Sequence, residues 1–408
     1  MTPAAGTPPF GRSATSHTGR DPMESTNICG PEVTQRESWT WPQLREAHRA
    51  ILLDVLLHGR RSRAELGRHI GMTRASLSRL TRELSSLGLV HEAGVVLNGA
   101  RGRPSEALEI APDGAQFLGF KLTGTSLYTA LTDLSARVMK IESEPLPSRE
   151  VGDVVAMIRR ATLRHQQCAP RLAAIGVCLA GDVHRVPPLG DVIGGSAFLG
   201  WEEVPLQQEL QAATGLPVTI SNDVQALTTA HHWFGAGHGA HSLAVLGVGE
   251  GIGCGIVVDG QRVHGAHGRP GKVGHLPVGG NAHCEQGHLG CVSAYITIPA
   301  MLRNAGASDL AEVEAAARSG EERANRAFRD AATALGTVIA TLANLIDIER
   351  VVVTGEALAF AHLHRDAVND AIRARLDPMA VAPETILHPF KFTDYAWGAA
   401  VTAVHSLI

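Results

Sequence analysis

Between Gly268 and Cys291 the chain reads GRPGKVGHLPVGGNAHCEQGHLGC. Seven glycines in 24 residues, with no apolar period, exclude an ordinary helix or strand over this span. Glycine reaches backbone angles closed to other residues, so the loop can fold tightly on itself or against a ligand. His275, Cys284 and Cys291 are candidate zinc ligands, because neutral imidazole and thiolate are the donors zinc prefers. Structural zinc takes four ligands, and His288 and His283 are the nearby candidates for the fourth. The spacing fits no standard finger pattern, so a glycine-rich loop with free thiols is the alternative.

The opposite end of the chain is basic. Residues 44–105 hold eleven arginines, no lysine and five acids, a balance of +6, whereas the 408-residue chain is −4 and its remainder therefore −10. A basic module on an acidic body suits a polyanionic partner for the module alone. Residues 1–39, rich in Pro, Gly, Ser and Thr, read as a disordered tail. From Leu44 apolar residues recur at helical spacing until Gly59. Ser62 and Glu65 form a capping box opening a second helix, which ends near Ile70–Gly71, and Thr73 caps a third carrying Leu77, Leu80 and Leu84. Gly67 marks a close crossing of the first helix. Helix, glycine turn, helix, then a β wing over Leu89–Val96 is the helix-turn-helix pattern, predicted over 40–110. The third helix offers Arg74, Ser76, Ser78, Arg79 and Arg82 to a major groove. Arg101 and Arg103, before Pro104, form a flat extended segment suited to a narrow minor groove. The alternatives are a three-helix packing domain with a solvated arginine face, and a linker.

From Ala115 the reading is α/β, with strands at 117–122, 126–131 and 136–142, a helix at 151–165 and a buried strand at 173–179. Another strand, 217–222, ends in Asn222 and Asp223, where α/β clefts place their chemistry; the other role open to Asp223 is capping the helix that follows. Strands at 242–246 and 251–258 flank a glycine-rich turn containing Glu250. Helices follow at 324–345, 362–375 and 394–407, with a strand at 350–354. Hydrophobic residues make up 44% and charged ones 19%, no run of 18 apolar residues could span a membrane, and the first residues lack an apolar signal core. Six scattered cysteines do not read as a disulfide framework. A cytoplasmic location is expected.

The organising loop resembles the zinc-and-sugar loop of the ROK family of repressors and sugar kinases, Gly-Glu-x-Gly-His then Cys-x-Cys-Gly-x-x-Gly-Cys-x-Glu. Gly271, Gly274, His275, Cys284, Gly287, Gly290 and Cys291 match, while Lys272, Gln286 and Ser293 replace a glutamate, a cysteine and a glutamate. The resemblance runs over residues 44–408. It implies an N-terminal winged helix-turn-helix followed by a two-lobed actin-like, ribonuclease-H-type ATPase or sugar-kinase fold, with the first lobe at 115–223 plus 392–408 and the second at 224–391, containing the loop 268–293. It implies a sugar cleft with Asn222, Asp223, Lys272 and His275 facing ligand, Asp223 at the position of the kinase base. It also implies one zinc held by His275, Cys284, Cys291 and His288 or His283. The family's Asp-x-Gly-Gly-Thr phosphate turn is here Lys121-Leu122-Thr123-Gly124-Thr125, and an ammonium cannot coordinate magnesium. With Glu250 where a threonine is usual, no ATP use and no catalysis are expected. The resulting expectation is a homodimeric repressor on an inverted-repeat operator, responsive to a sugar or sugar phosphate. An active sugar kinase is the alternative.

Overall fold

The computed structural model describes residues 39–96 and 105–408; the expected tail before Trp39, and Arg101 and Arg103, lie outside the described residues. Three helices open the fold, Glu46–His58, Arg63–Ile70 and Arg74–Ser86. Their boundaries follow local chemistry. The Ser62 hydroxyl accepts from the Glu65 N–H while the Glu65 carboxylate accepts from the Ser62 N–H at 2.8 Å, closing the capping box. Gly71 ends the second helix at φ 71°, and the Thr73 hydroxyl accepts from the Ser76 N–H at 3.3 Å. The close approach at Gly67 falls elsewhere than expected. A Cβ there would stand 3.2 Å from the Met72 carbonyl oxygen and 3.8 Å from Leu77, so the crowding comes from the turn and third helix. The wing strand Val90–Val96 pairs antiparallel with Ser105–Ile110, a return strand the sequence reading did not contain, and this in turn pairs with Arg61–Ser62.

This module shares a core with the rest of the chain. Leu84, Leu89 and Leu108 lie in one apolar cluster with Phe117, Leu134, Val401 and Val404. The Arg171 guanidinium donates to the Leu87 carbonyl at 2.6 Å, just past the third helix, and stands 4.9 Å from the Trp39 ring centroid.

Two five-stranded sheets of the same design form the body. The first runs Val218–Asn222, Leu172–Leu179, Gln116–Leu122, Ser126–Asp133, Val138–Pro145. The second runs Glu384–Leu387, Arg350–Thr354, Leu243–Val248, Ile252–Val258, Gln261–Arg262. In each, the central strand continues into an antiparallel meander on one side and meets two parallel strands on the other. This duplicated order is the ribonuclease-H-type arrangement the resemblance implied. The long alanine-rich helix Glu322–Ile346 packs on the second sheet. The final helix, Asp394–Leu407, returns to the first. It lies so close that a Cβ at Gly119 would stand 1.9 Å from the Ala396 carbonyl oxygen, and one at Gly176 1.8 Å from that of Ala399.

Some local expectations need correction. The helix expected at 362–375 is two, Ala359–Leu363 and Arg365–Arg375, broken at His364. The hairpin of Asp182–Val186 with Gly190–Gly195, and the helices Leu206–Thr214, Ile298–Ala305 and Leu310–Arg318, were not anticipated.

Candidate functional site

A cleft of about 500 Å³ lies between the lobes, reached by the ends of strands from both sheets. Asp223 follows the strand Val218–Asn222, and Glu356 stands just past Arg350–Thr354. Lys121 is near the end of the central strand Gln116–Leu122. Asn222 rather than Asp223 is the N-cap of the helix Asp223–Phe234. Its Oδ1 accepts from the Val224 N–H at 3.0 Å, and its Nδ2 donates to the Gly181 carbonyl at 2.9 Å. Asp223 Oδ1 shares that N–H at 2.9 Å, and Oδ2 is left for Lys121.

The Lys121 ammonium donates to Asp223 Oδ2 at 2.7 Å. The lysine side chain is 4% exposed and the aspartate 13%. Tyr395 roofs the ammonium, with its ring centroid 4.5 Å away. Burial alone would lower the lysine's affinity for its proton. The Asp223 carboxylate, with smaller contributions from Cys178 and Glu356, outweighs this, and together they hold it above the ordinary range. At the opposite wall, burial raises the Glu356 carboxyl, with Lys121 pulling the other way. Glu356 lies over the glycine turn of the second lobe: a Cβ on Gly249 would stand 1.9 Å from Glu356 Oε2. Glu250 also lines the cleft, so two acidic side chains stand beside this glycine turn. The sequence reading placed Gly355 and Glu356 just past the 350–354 strand, near where the resemblance puts adenine, and gave Glu356 no role toward the ligand; the structure puts it on the cleft wall.

Lys272 lines the cleft but is not free, since its ammonium donates to Asp182 Oδ1 at 2.7 Å, and Arg269 stands 3.5 Å from the same carboxylate. His275 is not among the lining residues; it turns instead toward the cysteines. Phe198, from the segment expected to enter the cleft, lines it while 53% exposed, adding to apolar walls that include Leu199, Ile252 and Phe392.

In the organising loop, His275, Cys284, His288 and Cys291 bring one donor atom each within 4.8 Å of one another. His283 is not part of this group. His275 Nδ1 is 3.9 Å from Cys284 Sγ, 3.7 Å from Cys291 Sγ and 3.1 Å from His288 Nδ1, and His288 Nδ1 is 3.6 Å from Cys284 Sγ. Zinc bonds of about 2.3 Å to sulfur and about 2.0–2.1 Å to nitrogen give tetrahedral edges of roughly 3.3 Å between nitrogens and roughly 3.6 Å between nitrogen and sulfur. The donor set and its edges fit that ion.

On the third helix of the N-terminal module Arg74, Ser76, Arg79 and Arg82 are exposed and Ser78 is half-buried. Arg79 pairs with Glu83 at 3.2 Å, and Arg82 donates back to the Ser78 carbonyl at 3.0 Å. Both contacts lie on the helix's own surface and are weak enough for a phosphate to displace.

The fold defines a class, a two-lobed kinase-like body headed by three short helices and a β wing. The chain belongs to the ROK family, whose model matches residues 117–403. It is 26% identical over 355 residues to the DNA-binding transcriptional repressor Mlc of Escherichia coli K12, covering 80% of this chain and 84% of that protein. It is 31% identical over 266 residues to a glucokinase of Halalkalibacterium halodurans, covering 59% of this chain and 79% of the enzyme. Among solved structures, a ROK family transcriptional regulator, a homologue of the E. coli Mlc protein, superposes with a TM-score of 0.74 at 23% identity over 88% of this chain and 97% of its own. A ROK family glucokinase from Streptomyces griseus in complex with glucose and AMPPNP gives 0.59 at 23% identity over 71% of this chain and 100% of its own. These two likenesses establish the fold.

Proposed function

We propose that this chain is a transcriptional repressor that binds duplex DNA through its winged helix-turn-helix and senses a sugar or sugar derivative in its cleft without phosphorylating it. The observation that carries the second half is the buried Lys121–Asp223 pair. A general base must take a proton from the substrate hydroxyl, and each oxygen of Asp223 already accepts one hydrogen bond, Oδ2 from an ammonium and Oδ1 from a backbone N–H. The same ammonium occupies the first phosphate turn, where it would repel magnesium. Retention of Asp223 and the glucokinase likeness favour an active kinase, but both phosphate-facing walls oppose it. Phe198, Asn222 and the Asp182–Lys272 pair supply an apolar face and hydrogen-bonding groups suited to a sugar.

Coupling of cleft to DNA has a physical route. The final helix places Tyr395 in the cleft and Val401 and Val404 in the core shared with the DNA-binding helices. DNA contacts are assigned to Arg74, Ser76, Ser78, Arg79 and Arg82, with Arg101 and Arg103 in the minor groove, on an inverted repeat read by a homodimer. One zinc, held by His275, Cys284, His288 and Cys291, would fix the loop that carries Lys272, a structural role. No helix among the described residues is long and apolar enough to cross a membrane; a cytoplasmic location follows from the proposed action on DNA. Thermal melting of the full chain with a sugar panel and with ATP–Mg²⁺ tests the proposal. Stabilisation by a sugar alone is expected; stabilisation by ATP–Mg²⁺ would favour the kinase.

A further inference from the structure

A second cavity, of about 770 Å³, adjoins the cleft and shares Val183, Gln225, Gly268 and Arg269 with it. Its walls come from the Asp182–Val186 hairpin, the strand Val218–Asn222, the 262–269 segment and the end of the final helix. Three arginines line it, Arg185, Arg262 and Arg269, together with four histidines, against the carboxylates of Asp191 and Glu203. Among the described residues neither Arg185 nor Arg262 forms an ion pair. Arg262 spends one N–H on Gln225 Oε1 at 2.8 Å, and its other donors remain. Burial holds its guanidinium below the usual arginine range, partly offset by Asp191, so this cation is desolvated without a carboxylate in contact. Three buried polar atoms on lining residues also lack a protein partner: His184 Nδ1, Thr219 Oγ1 and Ser221 Oγ. Buried polar atoms are rarely left so, and hydroxyls and imidazole beside guanidinium groups are the donors that surround a tetrahedral oxyanion.

We propose that this second cavity is a binding site for a phosphate group, free or carried by a small molecule, distinct from the sugar cleft. Arg262 and Arg185 supply the charge, and Thr219, Ser221 and His184 supply directed hydrogen bonds. The inference does not depend on the repressor reading.

Calorimetric titration of the full chain with inorganic phosphate and with a hexose 6-phosphate, at constant ionic strength, tests it. Both probes are expected to bind. Arg262→Gln is expected to weaken each by about tenfold or more, the size of one lost charge-assisted hydrogen bond. Because Arg262 also holds Gln225, its replacement could unfold the chain; the exposed Arg185→Gln, with an expected loss of severalfold, keeps the test open. Lys272→Met in the cleft is expected to leave phosphate affinity within about twofold. Tighter binding of the hexose 6-phosphate would identify a phosphorylated sugar as the source, and equal binding free phosphate. Binding absent at about 10 mM, indifferent to both arginine changes, or lost with Lys272→Met would overturn the proposal.

Discussion

Replacing Lys121 by Met keeps most of the side-chain volume and removes the charge that neutralises Asp223. The carboxylate is 13% exposed and retains the Val224 N–H, so it is neither fully dry nor without a partner. Breaking a buried pair by removing one member costs about 3–5 kcal/mol, and this partial solvation places Lys121→Met near the lower end, about 3 kcal/mol. Asp223→Asn should cost more, because it strands a lysine that is only 4% exposed. In a body of this size about 3 kcal/mol lowers the melting temperature by about 5 °C. The double variant removes both charges and should lose no more than the worse single variant, giving a coupling of at least about 3 kcal/mol. Urea unfolding of the four proteins measures it. The pH dependence has a definite sign. The folded lysine titrates above its ordinary value of 10.5, so the pair's contribution is complete below that pH and is lost as pH rises through the raised value. The gap between wild type and Lys121→Met should therefore stay constant from neutral pH to about pH 10 and close only beyond. Additive single effects, or a neutral Lys121→Met, would refute the reasoning that the aspartate is locked.

Replacing both Arg79 and Arg82 by Ala should weaken DNA binding and, with two such residues on each protomer of a dimer, reduce the salt slope by up to about 4, as seen by anisotropy at several salt concentrations. Sugar-dependent ADP release should be negligible, and turnover at ordinary kinase rates of roughly 1–100 per second would contradict the locked base. Protein purified without an affinity tag should hold about one zinc per chain, and chelation should lower its melting temperature. Cys284→Ser should reduce the zinc content, whereas His283→Ala should not.

Features set by neighbours in the chain were legible in the sequence. The Ser62–Glu65 capping box, the left-handed Gly71 and the Thr73 cap need only three or four residues each, and all three are in place. The central strands and the long helix announced themselves by apolar pattern. Contacts across the fold were not legible in the same way. Lys121 and Asp223 each drew notice alone, but they lie 102 residues apart and no local pattern pairs them. His275 was given two roles, and only the fold shows it beside the cysteines rather than on the cleft wall. The return strand Ser105–Ile110 was missed because its residues mix acids and apolar groups and follow a segment read as an extended minor-groove arm, with a linker as the alternative. The second cavity draws on four separate segments, so its arginines read one at a time as ordinary surface charge.

The central claim is that a sugar, bound without chemistry, controls DNA binding. Fluorescence anisotropy of a labelled duplex from the DNA upstream of this chain's own coding sequence, titrated with protein at fixed salt with and without each member of a sugar panel, tests it most directly. The account predicts binding at least about a thousandfold tighter than to an unrelated duplex. It predicts that one sugar shifts this affinity by at least about fivefold, a coupling of about 1 kcal/mol, with no need for ATP. Binding no tighter than to unrelated DNA, or affinity indifferent to every sugar unless ATP–Mg²⁺ is present, would contradict it.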